Sequence, residues 1–135
     1  MTTANKIMVI PCSGIGKAFG SISREAAYIT IEELRPEATD TVCLSLLVMG
    51  DGETQRKVQG HSCITVDGCP IGCGRKNVEL AGGTVVKALR VVDVYKEHHE
   101  LKPRAITELD EAGRQLAQIL AQRIAEEVDR IEEAL

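Results

Sequence analysis

The sequence predicts an α/β fold with three layers: a mostly parallel sheet, helices on both of its faces, and a long helix at the C-terminus. Three observations carry this. Apolar runs such as Ile7-Met8-Val9-Ile10 are continuous rather than alternating, as strands covered on both faces require. These runs alternate along the chain with segments of helical period. Residues 107–135 carry one apolar stripe at helical spacing. At 135 residues the chain can bury one real core but not two. Residues 1–135 are therefore read as a single α/β domain. A cysteine-bearing core spans 6–95, and the C-terminal amphipathic helix spans 107–135.

The elements follow in order. Lys6 to Pro11 reads as a buried strand, followed by the loop Cys12-Ser13-Gly14-Ile15-Gly16. Lys17 to Leu34 is helical, with Phe19, Ile22, Ala26 and Ile29 on one face, and Pro36 breaks it. Thr41 to Met49 is apolar throughout, so periodicity leaves a buried strand and a strand turning into a helix both open. Residues 53–59 suit a short helix, and Ser62 to Val66 a strand. Pro70 to Ala81 reads as a helix ended by Gly82-Gly83. Thr84 to Val94 holds a further strand, the stretch Ala88 to Val94. In the last helix, Thr107 and Asp110 resemble a capping box. Leu109, Leu116, Ile119, Leu120, Ile124, Val128, Ile131 and Leu135 then form the stripe. A helix over 107–135 would be about 43 Å long. It covers the sheet on the simpler reading; on the sharper one its far end packs on a second subunit and makes a homodimer.

Composition excludes several function classes. Hydrophobic residues make up 44% and charged residues 27%, the balance of an ordinary globular domain. Aromatics are confined to Phe19, Tyr28 and Tyr95, too few for the stacking platforms of single-stranded nucleic-acid binders. The net charge of -4, without a basic block, argues against a phosphate-backbone partner. No run approaches the roughly 20 apolar residues of a membrane span. The short apolar run near the N-terminus leads into a core strand rather than a signal peptide, so the expected location is the cytoplasm. Ser-His-Asp sets, paired catalytic carboxylates and dinucleotide fingerprints are missing from the sequence.

What remains is cysteine: five in a chain of this size, an odd number that disfavours a fully paired disulfide framework. In a reducing compartment such residues serve metal or thiol chemistry more often than disulfides. The string ITVDGCPIGCGRK holds Cys69 and Cys73. A helix opening at Pro70 would put Cys69 at its N-cap and Cys73 one turn later on the same face. The N–H groups of that helix end would favour thiolate. Asp67, just before, reads as a turn former, with hydrogen-bond acceptor to the site as the alternative. Cys12 lies in PCSGIGK, after a strand and before a helix, where loops cradle anions. That string lacks both the P-loop spacing and an arginine placed to clamp phosphate. Cys43, among apolar neighbours, reads on its own as a core side chain. Cys63 sits within a strand and is expected buried and inert. His61 is a solvated turn residue or a further ligand, and His98-His99 lies in a charged surface string. In parallel sheets sites form at the carboxyl ends of strands, and Cys12 and Cys69 both follow strands.

Taken together, IPCSGIGK, TVCLSLL and ITVDGCPIGCGRK resemble the DGC-domain family, named for Asp67-Gly68-Cys69 here and described by four cysteines proposed to chelate zinc. The resemblance covers about residues 6 to 95. It implies Cys12, Cys43, Cys69 and Cys73 as the metal ligands, which lifts Cys43 from core to ligand. Four thiolates would hold zinc at about 2.3 Å. Lys17, Arg75 or Lys76 would offset the charge. The leading expectation is a small cytosolic metal-thiolate protein with Zn2+ at the carboxyl edge of the sheet. One alternative is a sulfur-transfer or redox carrier using Cys12 with Cys69 or Cys73. Another is an iron–sulfur protein with the same ligands.

Overall fold

A computed structural model of the chain describes residues 6–12, 18–68, 72–103 and 109–134. Strand β1 (Ile7–Cys12) is followed by α1 (Ala18–Ile29), which runs on into a π-helical turn, Thr30–Leu34. Next come the short strand β2 (Thr39–Asp40), α2 (Leu44–Val48), α3 (Gly52–Val58) and β3 (Ser62–Asp67). The chain continues through α4 (Cys73–Leu80), β4 (Thr84–Arg90), α5 (Val91–Glu97) and α6 (Glu111–Ala134). The four strands lie in the order β2-β1-β3-β4, and every pairing is parallel. The predicted class holds: a parallel sheet with helices on both faces and a long C-terminal helix.

The central strands show why their apolar runs are unbroken. Ile7 and Val9 of β1, with Ile64 and Val66 of β3, face α1, α5 and α6. Met8, Ile10 and Cys63 face the other way, onto Leu47 of α2, Val58 of α3 and Val78 of α4. Both sides of each strand are core, so no polar position breaks the run.

Helix α6 is about 36 Å long at its 24 residues. Its start differs from the capping box expected at Thr107, which lies outside the described residues. Asp110 is the cap: its Oδ1 accepts the Gly113 N–H at 2.9 Å, and its carbonyl accepts the Arg114 N–H at 2.9 Å. Of the stripe, Leu116, Leu120, Ile124, Val128 and Ile131 are buried within this chain, against α1 and its π-helical extension, Leu109 and Ile119 are half-buried, and Leu135 lies outside the described residues. Small residues at the contact, Ala26 and Ala27 on α1 with Ala117 and Ala121 on α6, let the helices approach closely. Thr30 shows how closely: its hydroxyl donates to Ala26 O at 2.9 Å and reaches Ala121 O on α6 at 3.4 Å. A Thr hydroxyl bonded to the preceding turn loosens a helix, and here the helix widens to the π form at Thr30. Below it, Arg35 clasps Asp129 of α6 with two bonds of 2.9 and 2.8 Å.

Three further element boundaries depart from expectation. The apolar segment Thr41–Met49 is neither a buried strand nor a strand turning into a helix: β2 ends at Asp40, before the segment begins, and α2 takes Leu44–Val48. The strand expected over Ala88–Val94 runs instead from Thr84 to Arg90, and Val91 opens α5. β-Branched residues favour strand only as a weak prior; here Val91 and Val94 complete the core under α6 instead. Helix α4 ends as expected, with Gly82 in the left-handed region at φ 91°. It begins later than expected, with consequences for the site.

Leu120 is fully buried between α1 and α6, so Leu120→Ala is expected to cost about 2–5 kcal/mol in urea unfolding. Asp129→Ala, at a half-exposed ion pair, is expected to cost at most ~1 kcal/mol by the same measurement.

Candidate functional site

The strand order fixes where a site forms. From β1 the chain crosses to β2 on one side, then returns to β3 on the other. Helix α1 leaves β1 toward one face, while α4 leaves β3 toward the opposite face. A crevice opens outside the carboxyl ends of two such strands, at the switch point. The residues that end β1 and β3 are Cys12 and Asp67, and they are register partners.

Asp67 is 1% exposed. Its Oδ1 accepts the Gly74 N–H at 2.7 Å. Burial pushes this carboxyl up from its ordinary value, and the Gly74 and Arg75 N–H groups and the Cys12 thiol pull the other way without cancelling the effect. The surrounding backbone is packed to contact. A Cβ on Gly74 would lie 2.9 Å from Asp67 Oδ1 and 3.4 Å from Cys12 Cβ. A Cβ on Gly68 would lie 2.8 Å from the Gly20 backbone of α1. The Gly68 N–H donates to Cys12 O at 3.3 Å, and the Ser23 hydroxyl of α1 donates to Val66 O at 2.6 Å. Asp67 is thus no simple turn former. It is the hydrogen-bond acceptor of the site, the reading given second place in the sequence.

The start of α4 corrects a second expectation. The helix opens at Cys73, after Gly72 in the left-handed region at φ 76°. It does not open at Pro70 with Cys69 as its cap. Cys69 and Pro70 lie outside the described residues. The amides of the first turn are engaged by the Asp67 carboxylate, an anion from within the chain, so they are not free to favour a thiolate.

Cys12 and Cys43 meet in another way. Both line a cavity of about 690 Å³, walled also by Arg24, Tyr28, Val48 and Met49. That volume is in the range of small-molecule sites. Cys43 sits at the N-cap of α2 and is exposed. The core side chain suggested by its apolar neighbours is therefore corrected: Leu47 of the same segment takes the core position instead. Backbone N–H groups of Leu46 and Ser45 hold the Cys43 thiol below its ordinary pKa. Cys12 and Cys73 are half-buried. Arg75 and Lys76 are exposed, and they line an adjoining cavity with Asp67 and Arg90.

Cys63 behaves as expected of a strand interior. It is buried, its thiol donates to His61 O at 3.5 Å, and burial pushes its pKa up to about 11. Together with His61 it stands at the amino end of β3, roughly 13 Å or more from Asp67 along the strand. Among the described residues, no three His, Cys, Asp or Glu side chains gather closely enough to hold a metal ion. The donors present at the carboxyl edge, Cys12, Cys43 and Cys73, are the soft sulfur ligands that zinc takes. They fit such an ion by chemistry.

The family model of the DGC domain matches residues 8–119. The chain belongs to the DGC-domain family. The match runs from β1 into α6, so the DGC domain extends well beyond the 6–95 over which the motifs lie and takes in the start of the long helix. This DGC protein is small and cysteine-rich, and none of its described helices is long and apolar enough to cross a membrane. No curated protein and no solved structure matches the chain significantly.

Exposure and pKa set apart Cys43 and Cys63 among the described thiols. In metal-free native protein near neutral pH, iodoacetamide is expected to label Cys43 before Cys12, Cys63 and Cys73, and to leave Cys63 unlabelled until denaturant is added. Peptide mass spectrometry reads both, and early labelling of Cys63 would contradict the burial described here.

Proposed function

We propose that this DGC protein is a cytoplasmic metal-thiolate protein that binds one zinc ion through Cys12, Cys43, Cys69 and Cys73. The observation that supports it is convergence. Cys12 ends β1 and Cys43 follows β2, yet both line one cavity, while Gly74, next to Cys73, packs against Cys12. A zinc ion would supply a tetrahedral centre drawing these segments together. The chain's part is to hold the sulfurs at the switch point and to place cations nearby. Arg24 lines the thiol cavity, and Arg75 and Lys76 follow Cys73 directly, so positive charge is at hand to offset four thiolates. An oxidising compartment would convert such thiols to disulfides, which is why the cytoplasm suits them.

A second reading rests on the size of the cavity, which exceeds what one ion needs. In it the protein is a sulfur-transfer or redox carrier, with Cys12 as nucleophile and Cys69 or Cys73 resolving it. An iron–sulfur cluster on the same thiols is a third, and it would colour the protein brown.

Elemental mass spectrometry of protein purified without added metal separates these readings. About one zinc per chain is expected, and the Cys69→Ser, Cys73→Ser double variant is expected to lose it. Chelation should also lower the thermal midpoint, since an ion bound only by the folded state stabilises it. Absence of zinc and iron, with every thiol titratable, would overturn the metal reading in favour of thiol chemistry.

A further inference from the structure

We propose that Asp67 is the positioning residue of this site: it ties the Cys12 segment and the first turn of α4 to the end of β3, so that Cys12 and Cys73 are set in place before a metal arrives. The proposal rests on the metal-thiolate reading above. Its grounds are geometric. Asp67 ends a central strand of the sheet, a rigid base. Its carboxylate is buried at 1% exposure, and a carboxylate withdrawn from water needs donors around it. The donor bonded to it is the Gly74 N–H at 2.7 Å, and Cys12 is its register partner on β1, with its Cβ 3.4 Å from where a Gly74 Cβ would stand. Both lie in segments that carry a proposed ligand.

The glycines show that the arrangement is close-fitting. Gly74 leaves room for the carboxylate and for Cys12 Cβ together, where any Cβ would intrude. Gly68 itself lies against the Gly20 backbone of α1, where a Cβ would likewise intrude. Side chains of this kind behind metal ligands set ligand orientation, and their loss lowers metal affinity by roughly 10–100-fold. The three functions met by Asp67-Gly68-Cys69 are then distinct: the acceptor, the close turn and the ligand.

The test uses the full chain and Co2+, whose thiolate charge-transfer and d–d bands report the ligand set. Asp67→Asn keeps an oxygen to accept the Gly74 N–H and offers an amide to Cys12; Asp67→Ala keeps neither. Asp67→Ala is expected to weaken Co2+ and Zn2+ binding by roughly 10–100-fold and to alter the d–d bands. Asp67→Asn is expected to restore wild-type bands and an affinity within about threefold of wild type. A merely structural role would lower the thermal midpoint and leave the bands of the bound fraction unchanged. If Asp67→Ala fails to fold, Gly74→Ala takes its place and is expected to show the same loss. Wild-type binding and bands in the alanine variant tested would overturn the proposal. Equal loss in Asp67→Asn and the alanine variant would overturn it too, since charge rather than placement would then matter. If wild-type protein binds neither ion, the metal reading fails by itself. Positioning is then read from amide exchange at Gly74 in metal-free protein. Slow exchange in wild type and Asp67→Asn, with roughly tenfold faster exchange in the alanine variant, would support it. Equal rates in all would overturn it.

Discussion

A carboxylate inside a protein is costly unless donors replace the water it has lost. Asp67 meets part of that demand with the Gly74 amide from the first turn of α4, beside Cys12 at the end of β1. The start of α4, the close approach of Gly74 to Cys12 and the placing of Gly68 against α1 all surround this one buried group.

The sheet on which this clasp stands is held by unequal forces on its two faces. One face carries the long α6 packed through alanines onto α1, with Val91 and Val94 of α5 filling in behind. The other is covered by shorter helices, α2, α3 and α4, over a smaller cluster. Exposed apolar side chains gather on that thinner side, at Val48 and Met49 beside the cavity of Cys12 and Cys43. Stability resides in the thick layer, and the thiol-lined crevice opens where the thin layer begins.

The cysteines divide by their place along the strands. At the amino end of β3, Cys63 is packed like any small core residue, and burial suppresses its thiolate. At the carboxyl edge, Cys12 and Cys43 share a cavity, and backbone amides favour the thiolate of Cys43. Residues of one type thus serve opposite ends. The difference is made by whether backbone donors or apolar side chains surround the sulfur.

Read alone, the sequence determined the parallel α/β class, the strands β1 and β3, the stripe of α6, and the edge of the sheet at which cysteines gather. These are legible because apolar runs and helical period are local records of burial. The motifs around Cys12, Cys43 and Asp67-Gly68-Cys69 also determined the family, now matched over residues 8–119. Only the tertiary structure decided the rest. Val91–Val94 looks like strand by residue type and is helix because α6 needs a partner there. Cys43 looks like core by its neighbours and is exposed because Leu47 holds the core position. The first turn of α4 begins at Cys73 rather than Pro70 because its amides are met by a carboxylate seven residues upstream in sequence. The strand order brings Cys12 beside that same carboxylate from 55 residues away (67 less 12). Propensity and periodicity describe a residue and its near neighbours, whereas a buried acceptor is satisfied by whatever donors the fold delivers.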